Sequence, residues 1–231
     1  MRECYAEEMD WQALALTLKL ASLTTAILLV VAIPLAALLV LGKSRWLAVL
    51  EAVTALPLVL PPTVLGFFLL VLLGPRTAFG RLCVSLLGHP LAFSFEGLVV
   101  GSVIYSLPFA VQPLTAGFSL IHPAIVDAAR LLGAGPLRIL ATIFVPLARR
   151  SMISAALLTF LHTVGEFGVV LMLGGNIPGS TRTLSIVLYN QVENFDYASA
   201  ARTAAIMAAL SLITLAVLYA GDHGRGRRHH A

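Results

Sequence analysis

Long apolar runs, separated by short polar stretches, set the pattern of this chain. They cover about residues 13–41, 47–73, 97–118, 151–173 and 198–220, and each reaches the roughly 20 mostly apolar residues a helix needs to cross a bilayer. The pattern predicts an all-α polytopic membrane protein with five transmembrane helices. It predicts one membrane domain over residues 1–220 and a polar, basic tail over 221–231. The second run contains Pro57, Pro61 and Pro62. Each proline removes a backbone donor and crowds the preceding turn, and lipid tolerates such breaks only where protein or water re-satisfies the freed groups. This helix is therefore expected to be kinked and inside the bundle beside a pathway; a purely structural kink is the alternative. Residues 74–96 carry Gly74-Pro75, Gly80, Gly88 and Pro90 and read as a turn-rich loop. Alanines from Ala198 to Ala209 line the fifth run and suit close helix packing.

The polar interval between the third and fourth runs, residues 119–150, has helix signals of its own. Pro123 suits a first helical turn, Asp127 places negative charge early in the helix, and Gly133 can adopt the left-handed cap. Gly135-Pro136 then opens a second helix through Arg138 and Ile139. Ala128 and Ala129 are expected to present a face of low bulk, with Leu131 and Leu132 as apolar anchors. Connections between helices usually run to 2–8 residues; a longer, structured, apolar-tipped one points to a docking partner rather than a plain link.

Composition agrees with the pattern. Of 231 residues, 59% are hydrophobic and 11% charged, with a mean hydropathy of +0.94; a soluble domain carries about 25% charged residues. The net charge of +4 comes from basic residues flanking apolar runs, so it reads as a topology signal and not as a nucleic-acid surface. Lys43, Arg45, Arg130, Arg138, Arg149, Arg150, Arg225, Arg227 and Arg228 fall on one set of ends; Arg2, Arg76, Arg81 and Arg182 fall on the other. Positive residues stay on the cytoplasmic side, which puts the N-terminus outside, the C-terminus inside and the 119–150 loop in the cytoplasm. Residues 1–10 are acidic, unlike a secretory signal. Cys4 and Cys83 lack disulfide or metal-framework spacing, and His229 and His230 make no strong metal site.

Few polar groups fall inside the runs. Glu166, flanked by Gly165 and Gly168, is an ionisable residue within the fourth run, where such a group faces the bundle interior or water. A gating or packing role suits it better than contact with an anion. His162 lies one helical turn away and invites a His–Glu pair. The segment 174–183 offers donors from Asn176, Ser180, Thr181, Arg182 and Thr183, and Arg182 can attract an oxyanion by charge-assisted hydrogen bonds; a solvated or partner-docking loop is the alternative. No nucleophile–base pair, metal cluster or nucleotide motif is present, so neither catalytic nor metal-binding residues are expected.

The loop spacing Asp127-Ala128-Ala129, three residues, Gly133, nine residues, Ile143-Phe144-Val145-Pro146 resembles the ATPase-docking signature of ABC importer permeases, with Asp127 for the usual glutamate and Val145 for leucine. Gly165-Glu166-Phe167-Gly168, the run from Gly174 to Thr183 and the stretch from Leu56 to Val64 are similar to the permeases of molybdate/tungstate importers. The resemblance implies a type I importer permease fold in a prokaryotic inner membrane. It implies a second copy of the chain, two cytoplasmic ATPase subunits that bind the ATP and magnesium, and an outer oxyanion-binding protein. The loop around 123–146 would dock the ATPase through Asp127, Ala128, Ala129, Leu131, Leu132, Gly133, Ile143 and Pro146. Pro57, Pro61, Pro62, Gly165, Glu166, Gly168, Asn176, Thr181, Arg182 and Thr183 are the candidate path or gate residues. Another oxyanion such as sulfate, or an ATP-independent secondary transporter, is the competing reading.

Overall fold

A computed structural model describes residues 10–42 and 44–226. The expectations for residues 1–9, Lys43 and 227–231 lie outside the described residues. Twelve helices are found among those described: α1 (Trp11–Leu41), α2 (Trp46–Val59), α3 (Pro62–Leu73), α4 (Ala78–Leu87), α5 (Phe95–Ser119), α6 (Pro123–Leu131), α7 (Pro136–Ile139), α8 (Val145–Leu147), α9 (Arg149–Val164), α10 (Gly168–Gly174), α11 (Leu184–Glu193) and α12 (Tyr197–Gly226). A π-helical turn, Leu140–Phe144, joins α7 to α8.

The centre is a three-helix core of α1, α5 and α9. Helix α1 starts at Asp10, whose Oδ1 accepts from the Ala13 amide at 2.9 Å. Its buried residues include Ala13, Thr17, Ala21, Thr24, Leu28, Ala32 and Ala36, spaced three or four positions apart. They form one narrow stripe of mostly small side chains, which lets neighbouring helices approach closely. Side chains off the stripe, such as Val30 and Leu38, are exposed and suit lipid. Helix α5 likewise buries Gly97, Gly101, Ser102, Ser106 and Ala110. Three helices, Trp11–Leu41, Phe95–Ser119 and Tyr197–Val217, are long and apolar enough to cross a membrane, and two bent pairs raise the number to five if each pair is one span.

Those two pairs correct the sequence expectations. The second run is broken, not kinked: α2 and α3 meet at 112°. Pro61 and Pro62 lack two successive donors, and each proline pushes the residue before it out of the helical region; Leu60 and Pro61 are accordingly extended, with ψ of 134° at both. Nor does all of this segment lie inside the bundle. Helix α2 buries only Thr54 and Pro57, while Trp46, Val49, Val53 and Val59 are exposed. The fourth run is also not one helix. It stops at Val164, passes through Gly165, Glu166 and Phe167 without helical structure, and resumes as α10. The other bend, 81°, precedes it, between the stretch Pro136–Leu147 and α9. Within the 74–96 loop, α4 forms between the Thr77 side-chain cap and Gly88. Helix α11 falls in a stretch that the apolar pattern leaves unassigned. It is fixed by burial of Leu184, Ile186 and Val187 and by the Leu184 amide, which donates to Thr17 Oγ1 at 2.9 Å. In the tail, α12 continues to Gly226.

The broken ends are packed against each other. A Cβ added at Gly66 of α3 would lie 2.8 Å from Met172 Cβ and 3.1 Å from Val169 Cα of α10; one added at Gly168 of α10 would lie 2.9 Å from Pro62 Cβ and 3.2 Å from the Thr63 amide nitrogen of α3. Each helix thus presents a glycine to the other's backbone. We expect Gly66→Val and Gly168→Val each to destabilise the protein by about 1–3 kcal/mol through overpacking, read as a lower unfolding temperature in detergent. An unchanged temperature in both would show that α3 and α10 are not held this closely.

Candidate functional site: an apolar-tipped loop and a buried polar seam

The α5–α9 connection is built outward from a buried anchor. Val126 of α6, Ile139 of α7 and Phe144 of the π-turn join Leu114 and Phe118 of α5 and Ala36 of α1 in one apolar cluster. Phe118 and Phe144 meet edge to face, with ring centroids 4.9 Å apart. Helix α6 begins at His122, whose Nδ1 accepts from the Ala124 amide at 3.2 Å, with Pro123 in the first turn. It ends in a Schellman cap. The Ala134 amide donates to Ala129 O and the Gly133 amide to Arg130 O, both at 2.9 Å, while Gly133 has φ +80°. A Cβ there would meet nothing within 4 Å, so the left-handed backbone, not lack of space, calls for glycine.

Beyond the anchor, Leu131, Leu132 and Leu137 are 89%, 87% and 80% exposed. Asp127 and Arg130 form an exposed pair at 3.4 Å, and Ala128 is exposed beside them. The low-bulk face is narrower than the sequence suggests, because Ala129 packs on the apolar cluster. In the return arm, Ile143 packs against the same cluster and Pro146 is exposed. Pro146 cannot donate to the helical ladder; the turn before it widens to the π form, and the Val145 amide reaches Leu140 O. Such turns are rare and often occur at functional sites.

The second constellation lies along one face of α5. Ser106 Oγ is 2.9 Å from His162 Nδ1 and 3.1 Å from Thr163 Oγ1, and Thr163 donates to Thr159 O at 3.0 Å. The His162 ring stacks on Phe109, centroids 3.8 Å apart, and leans on Tyr105 at 4.7 Å. The expected His162–Glu166 pair does not form. Helix α9 ends at Val164, so Glu166 leaves the helical face that would align it with His162. Glu166 is 3% exposed and lies near Ser102 and Tyr105. The Ser102 hydroxyl faces this carboxyl, but no hydrogen bond of good geometry joins the two. A buried carboxyl so weakly held opposes folding, and ionisable groups within spans mark functional positions.

The remaining candidates divide between two places. Pro61, Pro62, Gly165, Glu166 and Gly168 gather at the facing breaks, where Gly168 touches Pro62; Pro57 is buried within α2. Asn176, Thr181, Arg182 and Thr183 lie in the segment joining α10 to α11. There Thr181 is buried with its hydroxyl committed: it donates to Gly174 O at 2.6 Å and accepts from the Ile177 amide at 3.2 Å. It staples the loop. Thr183 is also buried, whereas Arg182 Nε donates to the exposed Asn176 Oδ1 at 2.7 Å. The α5–α9 loop and this segment sit at opposite ends of α1, since the loop cluster includes Ala36 and the other end packs Ala13 with Leu184.

Comparison with solved structures identifies the architecture. The chain superposes on a chain of a bacterial ABC transporter involved in import of the acidic polysaccharide alginate with a TM-score of 0.69 at 16% identity, covering 96% of this chain and 81% of that one. The fold is that of the membrane subunits of type I ABC importers. In sequence, residues 29–223 match the profile described as "Binding-protein-dependent transport system inner membrane component". The chain is 52% identical to the molybdenum transport system permease protein ModB of Azotobacter vinelandii over 212 residues, 92% of this chain and 94% of that protein. It is 37% identical to the Escherichia coli K12 protein of the same description, covering 90% and 91%. The chain belongs to the binding-protein-dependent transport inner-membrane component family and is a multi-pass membrane protein.

The weakly held carboxyl yields a direct expectation. Glu166→Met should stabilise the purified protein by about 1–3 kcal/mol, the usual cost of a buried unmade hydrogen bond, and raise its unfolding temperature. A lower unfolding temperature would mean that the carboxyl is held by a favourable partner.

Proposed function

We propose that the chain is the membrane-spanning subunit of an ATP-driven importer of molybdate, and of tungstate by its similar charge and shape. Two copies would form the translocation unit, with two ATPase subunits in the cytoplasm and an oxyanion-binding protein outside; the N-terminus would face outside and the C-terminus the cytoplasm. The observation that carries the substrate is the 52% identity to the Azotobacter vinelandii molybdenum permease, which extends over nearly the full length of both chains. ATP and magnesium belong to the ATPase, and this chain supplies a path and a mechanical link.

The link is the loop between α5 and α9. Its tip, Leu131 and Leu132, is shaped to enter an apolar groove, and Asp127, Ala128 and the Gly133 cap set the angle of approach. Its anchor, Val126 and Phe144 against Phe118, is as tightly packed as a soluble core. A displacement of the tip therefore moves α5 and α1 instead of being absorbed by a soft loop. At the far side of α5, the break at Gly165–Phe167 interrupts the helical ladder. Glu166 would serve there as a gate element, its oxygens acquiring water when the helices separate.

The test is co-purification and uptake. With the cognate ATPase co-expressed, Gly133→Pro removes the amide bonded to Arg130 O and excludes φ +80°. Leu131→Ser with Leu132→Ser removes the apolar tip and leaves the helix cap in place. Both variants should insert normally, lose at least tenfold of the co-purified ATPase and lose binding-protein-dependent molybdate uptake. Full ATPase retention in both would refute the docking role. Wild-type uptake of sulfate but not molybdate would refute the substrate.

A further inference from the structure

At the end of the bundle where α1 and α12 begin lies a cavity of ≈ 760 Å³, bounded by the α10–α11 segment, the side of α11 and the first turns of α12. All of its lining residues but Val187 are of polar type, although carbon atoms supply close to half of its surface. Arg182 and Arg202 both contribute, with the side-chain amides of Asn190 and Asn194 and the carboxylates Asp10 and Asp196.

The balance of formal charge at these four ionisable groups is zero, but the groups are not equally available. Asp10 Oδ1 accepts from the Ala13 amide at 2.9 Å at the start of α1. Asp196 Oδ1 accepts from the Ser199 amide at 3.2 Å at the start of α12. Each carboxylate thus offsets the partial positive charge of a helix N-terminus. The arginines are held by neutral acceptors instead. Arg182 Nε donates to Asn176 Oδ1 at 2.7 Å, and an Arg202 terminal nitrogen donates to Ser199 Oγ at 2.9 Å. A guanidinium has five donors, so these contacts orient each side chain and leave most of its donors for a ligand. The Asn190 and Asn194 side chains add amide donors of the kind that bind an oxyanion without a counter-charge.

We propose that this cavity is a reception site for a tetrahedral oxyanion dianion on the permease itself, with Arg182 and Arg202 as its cationic ligands. The proposal rests on the oxyanion-transport reading and extends it to a named place in this chain. Arg202 lies near the start of α12, and that it lines the same cavity as Arg182 is visible only in three dimensions. The size of the cavity exceeds that of a bare tetrahedral anion, so the ion is held with part of its water, by contacts direct or water-bridged. The site is accordingly weak and exchanging, as a transit site must be.

The experiment is equilibrium dialysis of radiolabelled molybdate against the purified permease–ATPase complex in lipid nanodiscs, without binding protein and at low salt, with sulfate and phosphate as competitors. The wild type should bind saturably. Arg202→Gln and Arg182→Gln should each weaken binding at least tenfold. Arg182→Lys, which keeps the charge but not the forked geometry, should fall between. Undiminished co-purification with the ATPase confirms that each variant is folded. Absence of saturable binding by the wild type, or wild-type binding by both glutamine variants, overturns the proposal. Neither result touches the transport reading, which is measured separately by binding-protein-dependent uptake. Saturable, arginine-dependent binding of sulfate with none of molybdate would support the site and contradict the molybdate assignment.

Discussion

A polar backbone group has no water to turn to inside a bilayer, so an interrupted helix survives there only if protein or a water-lined cavity surrounds the interruption. This chain has two such interruptions in its apolar runs, at Leu60–Pro61 and at Gly165–Phe167, and it places the helices that follow them side by side. Gly66 lets α3 reach α10, and Gly168 lets α10 reach Pro62. Neither break is viable in isolation. The α1–α5–α9 core backs the pair through α10, which packs on both α3 and α5.

From that arrangement the remainder divides into stiff and yielding parts. The loop anchor is stiff: aromatic and aliphatic side chains from α1, α5, α6 and the π-turn bury one another. The seam beside the second break is different in kind. Ser106, His162 and Thr163 satisfy one another, yet Ser102 and Glu166 a turn further on do not. A satisfied network specifies one arrangement, and an unsatisfied one favours leaving it. The stiff anchor and the unsatisfied junction share α5. In the proposed mechanism a pull at the loop has a rigid route along α5 to a junction that gains from rearranging.

The sequence makes the uniform elements legible and hides the interrupted ones. Hydropathy marks α1, α5 and α12 because each holds one long, uninterrupted apolar stretch. Pro123 and Gly133 mark α6 because a proline start and a glycine cap are local backbone chemistry. The break at Glu166 is invisible to the same measure: three residues do not lower the average of an apolar run, although the flanking glycines signal it. The exposure of α2 cannot be read locally either, since an apolar helix facing lipid and one facing protein have the same composition. Helix α11 escapes because its apolar run is short and its support, Thr17, lies 167 residues away. The His162–Glu166 expectation fails for the same reason as the continuous fourth span: spacing implies a shared face only while the helix continues.

In the proposed gate Glu166 is enclosed at rest and uncovered when the ATPase subunits close. The most direct measurement is the reaction rate of a cysteine at that position, Glu166→Cys in a background with Cys4 and Cys83 replaced by serine, towards a water-soluble thiol reagent, in the resting complex and in the ATP-trapped complex. The account predicts near-silence at rest and a rate at least tenfold higher in the trapped state. Equal rates in the two states would contradict it, since the junction would then not be where the bundle opens.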